Sequence, residues 1–184
     1  MLRLLLSHYL RQSELTDSLP TKPPAVAPAD NLFPPAIVTD PGVSAPASEH
    51  DLAIRDVHVK ARKFLEKYGK TIADLNQIFY KEAGELRPLY EDLKTTRTSE
   101  SQTRIALLHA LLSGINAGKF QFDGEEVRKE CQVRKCYDAG NFSANFKNSA
   151  ALFDGFEKYD KQSPVIRLSE AGREALSKVI VELQ

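Results

Sequence analysis

Eight of the ten prolines fall within the first fifty residues, at positions 20, 23, 24, 28, 34, 35, 41 and 46. Ala, Ser, Thr and Asp surround them, and large apolar side chains are few. Such a stretch buries too little apolar surface to offset the entropy of ordering it. Residues 13–49 are therefore expected to form a disordered, mostly extended tether, and a folded domain has to come from residues 50–184. Ahead of the tether, residues 1–12 place Leu2, Leu5, Leu6, Tyr9 and Leu10 on one face if helical. A helix this short frays in water, so the peptide is expected to dock on a protein partner or on its own domain.

Acidic and basic residues number 25 each. By segment there are 5 acids against 3 bases in residues 1–50, 8 against 10 in 51–98, and 12 against 12 in 99–184. No segment is a polycation, which argues against tight non-specific binding to nucleic acid but leaves room for a local basic patch. Cys131 and Cys136 have no second pair with which to complete a four-ligand zinc site, so both are expected to be free thiols. No run approaches the ~20 apolar residues of a membrane span. A soluble, cytoplasmic protein that makes no membrane contact is the expectation.

From His50 the pattern turns helical. Val57, Ala61, Phe64, Leu65 and Tyr68 recur at helical spacing until Gly69. Thr71 then opens a second helix with Asp74 in its first turn. Ile72, Leu75, Phe79, Ala83, Leu86, Tyr90 and Leu93 advance in steps of three and four, which predicts one long helix kinked at Pro88. Residues 50–95 thus read as a helical segment that packs on the C-terminal domain or offers a seam for a homodimer or a protein partner.

Residues 99–184 carry a different alternation. Ser99 and Gln102 are spaced as a capping box ahead of the apolar run Ile105, Leu107, Leu108, Leu111, Leu112 and Ile115, which stops at Gly118. Lys119–Phe122 reads as a short strand, and Asp123 and Glu126 cap a helix reaching about Cys131. Asp138 is placed to cap a third helix from Ala139 to about Leu152, with Phe142, Phe146, Ala150 and Phe153 inward. Phe156–Tyr159 and Pro164–Leu168 flank a polar turn and predict a β-hairpin, after which Ser169 caps a last helix.

That order resembles the winged helix-turn-helix superfamily, and Leu168-Ser169-Glu170-Ala171-Gly172-Arg173-Glu174-Ala175-Leu176 is similar to a phrase that follows the second wing strand in many of its members. The fold class expected is mainly α with a small β-hairpin wing, preceded by a helical segment and a proline-rich tether. Gly172, in the opening turn of a helix, costs about 1 kcal/mol relative to alanine. A close approach by another backbone, at the base of the hairpin or from the first helix of the domain, would account for it.

The resemblance implies that the third helix enters the DNA major groove while the wing touches flanking backbone. The outward face of residues 139–152 would then present Asn141, Ala144, Lys147 and Asn148, side chains suited to base edges, thymine methyls and phosphates. Arg134, Lys135, Lys158 and Lys161 would contact the backbone of double-stranded DNA. The function so implied is a transcriptional regulator or an accessory DNA-binding subunit. The alternative is a non-enzymatic adaptor that uses the same fold to bind protein. The four histidines are scattered, and neither a phosphate loop nor a metal-ligand spacing is present, so no enzyme, cofactor or metal is expected.

Overall fold

Val57 is buried just ahead of α1 (Val59–Lys67), and His58, whose ring nitrogen accepts from the Lys60 amide, caps that helix. The computed structural model describes residues 49–184 except Gly155, Lys158, Tyr159, Lys161 and Ser163. The peptide at 1–12, the tether up to residue 48, and Lys158 and Lys161 of the expected wing lie outside the described residues. Ala61, Phe64 and Leu65 form the buried face of α1. Thr71 and Asp74 close the expected capping box at α2 (Ile72–Asn76).

The long helix predicted beyond Asn76 does not form. The chain instead makes an antiparallel hairpin of β1 (Phe79–Glu82) and β2 (Glu85–Pro88). Ala83 and Gly84 are its two turn residues, at φ +50° and +84°, the sign a tight two-residue hairpin turn demands. Ile78, Phe79 and Tyr80 are β-branched or aromatic and favour a strand, and Pro88 ends β2 at the edge of a two-stranded sheet. The apolar stripe from Ile72 to Leu93 is thus divided between a short helix, a hairpin and a loop, and it presents no helical seam.

α3 (Thr98–Ala117) is the central helix, with Ile105, Ala106, Leu108, Ala110, Leu111 and Ile115 wholly buried. Its N-cap is Arg97 without a side-chain cap, so the expected capping box at Ser99 and Gln102 is absent. The C-terminal stop at Gly118, in the left-handed region, is as expected. β3 (Gln121–Asp123) follows, and Asp123 accepts from the Glu125 and Glu126 amides to start α4 (Gly124–Val133). The expected helix at 139–152 is shorter. Asp138 spends its carboxylate on the Gly140 and Asn141 amides and on the Asn141 side chain, α5 runs Phe142–Asn148, and a 3-10 turn occupies Ala150–Leu152.

The hairpin near the C-terminus exists with an earlier first strand. β4 is Phe153–Asp154, ahead of the expected Phe156–Tyr159, whose last two residues lie outside the described residues, and it pairs antiparallel with β5 (Val165–Leu168). β5 is central in a three-stranded antiparallel sheet of order β3-β5-β4. Ser169 accepts from the Gly172 amide and caps α6 (Glu170–Glu182), whose Leu176, Val179 and Ile180 pack inward. The chain is thus mainly helical with small antiparallel sheets. Leu52 through Leu93 and Ile105 through Leu183 contribute to one apolar cluster, in which each fully buried Leu, Ile or Phe contributes ~1.5–3 kcal/mol.

Candidate nucleic-acid interface

Four phenylalanines decide which way α5 faces. Phe142 and Phe146 are buried, with ring centroids 4.9 Å apart, and Phe146 meets Phe122 of β3 at 5.9 Å and Phe153 of β4 at 5.5 Å. A helix pinned on one side by aromatic packing must turn the opposite side to solvent. Asn141, Ala144, Lys147 and Asn148 are accordingly all exposed.

A buried glutamine fixes the tilt of that helix. Gln102 of α3 is fully buried; its amide donates to the Cys136 carbonyl at 2.9 Å, and its side-chain oxygen accepts from Asn145 of α5 at 2.9 Å. Both polar ends of Gln102 are therefore satisfied inside the protein, as burial requires. The turn between α4 and α5 and α5 itself are held by one side chain. Sequence patterning misplaces Gln102 as a helix cap, because its partners are 34 and 43 residues away.

The expected phosphate contacts fare unevenly. Arg134 is committed within the protein: it donates to Glu130 at 2.7 Å and to the Glu91 carbonyl at 3.3 Å, and its guanidinium lies 4.9 Å from the Tyr90 ring centre. Its guanidinium is thus already paired within the protein, unlike Lys135 and Lys147, which have no ion-pair partner among the described residues. Lys135 is exposed in a left-handed turn at φ +57°. Asn141 stays exposed although its side-chain amide donates to Asp138 at 2.8 Å. Lys147 and Asn148 have no side-chain partner among the described residues.

Glu130 carries two partners, His109 at 2.5 Å and Arg134 at 2.7 Å. Burial pushes its carboxyl upward, and the hydrogen bonds from His109 and Arg134 outweigh that, leaving it below the ordinary glutamate range. His109 is thus half-buried and tied to α4, a structural pairing. Cys131 is buried and Cys136 partly so, both as free thiols, and burial pushes the Cys131 thiol upward. Among the described residues no group of three His, Cys, Asp or Glu side chains is placed to hold a metal ion. Among them, too, no helix is long and apolar enough to cross a membrane.

A second feature lies outside the expected site. A cleft of about 570 Å³ opens between α1, β3, β5 and the start of α6, and its walls include Lys60, Lys63, Lys67, Lys119, Arg167 and Arg173. The spacing Lys60, Lys63, Lys67 on one helix is the signal that could have pointed to it. Comparison of the chain with protein-family models, with curated proteins and with solved structures finds no match.

Proposed function

We propose that residues 99–184 are a winged helix-turn-helix domain and that the chain is a DNA-binding regulator or an accessory DNA-binding subunit without catalytic activity of its own. The observation that carries this reading is the outward quartet Asn141, Ala144, Lys147 and Asn148 on a helix whose other side is locked by Phe142 and Phe146. Support comes from the order α3, β3, α4, α5, β4, β5, α6 with β5 central in its sheet, the arrangement that puts a short helix beside a hairpin. Asn reads adenine, Ala meets a thymine methyl, and Lys reaches guanine or phosphate.

With Arg134 internally paired, the phosphate contacts on this side fall to Lys135, Lys147 and the wing lysines Lys158 and Lys161. So few contacts give weak binding with a shallow salt dependence. A salt-dependent gel shift on random duplex DNA tests the reading: binding should steepen as salt falls and weaken when Lys147 and Asn148 are both replaced by Ala. The adaptor reading is favoured by one observation, the internal commitment of Arg134, and it takes precedence if no duplex binds even near 50 mM salt, where phosphate contacts are strong.

A further inference from the structure

The charge of this chain is balanced along the sequence but not in space. Lys60, Lys63 and Lys67 stand at i, i+3 and i+7 on α1, so they share one face over roughly 10 Å of helix. Lys119 follows Gly118 at the end of α3, Arg167 projects from the outward side of β5, and Arg173 comes from the first turns of α6. These cations line the same cleft, where Asp154 and Glu170 are the only acids among the described residues of its walls.

The sheet explains the convergence. Phe122, Ile166 and Leu168 point into the core, so their neighbours Gln121 and Arg167, cross-strand partners in the β3–β5 register, must face outward into the cleft. Lys60, Lys63, Lys119 and Arg167 have no ion-pair partner among the described residues. The Nε of Arg173 is buried without a hydrogen-bond partner among them, and its guanidinium lies 5.5 Å from the Phe120 ring centre.

One carboxylate shows what the cleft accepts. Glu170 takes a hydrogen bond from the Tyr68 hydroxyl at 2.7 Å, pairs with Lys67, and lies 3.6 Å from Arg173. One carboxylate oxygen is therefore already held by two donors, Lys67 at the end of α1 and Tyr68 just after it, with the Arg173 guanidinium near the other oxygen. The acid belongs to the chain, and four further cations remain around it.

We propose that this cleft binds a single phosphodiester strand of nucleic acid, two or three nucleotides at a time, with Lys60, Lys63, Lys119 and Arg167 gathered around its phosphates. The lysine row of about 10 Å is long enough to meet more than one phosphate of an extended strand. A concave site of this volume admits a ligand of small-molecule size or a short length of one strand. The convex face of a duplex fits the exposed α5 instead. Glu170 acts as an internal competitor that the strand displaces from Lys67 and Arg173.

The test is fluorescence anisotropy of the 184-residue chain with a labelled single-stranded oligonucleotide, run beside a duplex of the same sequence and with inorganic tripolyphosphate as competitor. Lys60→Ser with Lys63→Ser should weaken single-strand binding about tenfold and reduce its salt slope by about 0.7 for each lysine removed. Glu170→Gln should tighten binding, a change that loss of structure cannot produce. Arg167→Ser, at an exposed strand position, gives a second variant independent of α1. Unchanged single-strand affinity in both the lysine and the arginine variants overturns the proposal, as does full displacement by tripolyphosphate at equal phosphate concentration. Duplex binding lost through these lysines while single-strand binding persists also overturns it. Failure of the α5 reading is separate, since Lys147→Ala with Asn148→Ala affects duplex alone.

Discussion

The carbonyl oxygen of Leu152 lies 2.1 Å from the place a Cβ on Gly172 would occupy. The same carbonyl accepts a hydrogen bond from the Ser169 amide at 2.9 Å, and the Ser169 hydroxyl donates to the Ala151 carbonyl at 2.6 Å. The start of α6 is thereby clamped onto the turn between α5 and β4. The expectation of a close backbone approach at Gly172 holds, with the nearest contacts made by that turn and by the Leu168 side chain at the hairpin base.

Gly172→Ala should consequently destabilise the protein by about 1–3 kcal/mol even though alanine is the better helix former, because a backbone carbonyl cannot yield as a side chain can. Urea denaturation with an unchanged m-value measures it. A neutral or stabilising result would show that the clamp relaxes freely.

In the β1–β2 hairpin, Ala83 occupies a positive-φ position that glycine or asparagine tolerates better. Ala83→Asn should stabilise by roughly 0.5 kcal/mol, and Gly84→Ala should destabilise by about 1 kcal/mol. Thermal unfolding of the two variants, shifting in opposite directions, checks both.

Arg104 is buried on α3 and donates to the Leu93 carbonyl and to Glu100, both at 2.8 Å, while pairing with Glu182 of α6. One guanidinium thus joins the loop before α3, α3 itself and the C-terminal helix. Arg104→Met should cost about 2–3 kcal/mol, less than a fully buried pair because both glutamates reach solvent. Chemical denaturation reads the loss directly.

Glu130 supplies the pH dependence. Burial raises its carboxyl and the His109 and Arg134 hydrogen bonds lower it further than that, so its folded value lies below the unfolded one. A depressed carboxylate contributes stability that is present above the unfolded value and lost as pH falls through the folded value. Glu130→Gln should therefore destabilise by about 1–2 kcal/mol at neutral pH, and the gap from wild type should close as pH falls below the ordinary glutamate range and through the depressed folded value. A gap that is constant from neutral to acidic pH would remove the ionised pairing from the explanation.

What the sequence made legible was local. Thr71 with Asp74, Asp123 and Ser169 each cap the helix they precede, because a cap depends on amides two or three residues away. Gly118 ends α3 for the same kind of reason. The hairpin at 79–88 was obscured because its apolar residues happen to step by three and four, and the Ala-Gly turn lacks the asparagine that usually marks it. Gln102 could not be read, since its partners come from other elements, and of the groups around Arg134 only Glu130, four residues back, is within reach of sequence spacing. The basic cleft was invisible to a charge count, because its cations arrive from α1, β5, α6 and the turn after α3 while their compensating acids lie elsewhere.

The most direct measurement is hydrogen exchange of the chain with and without duplex DNA at low salt, read peptide by peptide. The expected result is slowed exchange across residues 141–149, weakened by Lys147→Ala with Asn148→Ala, while the β1–β2 hairpin is unaffected. Unchanged exchange at α5 with protection confined to α1, or with none anywhere, would contradict the assignment of α5 as the DNA-contacting helix.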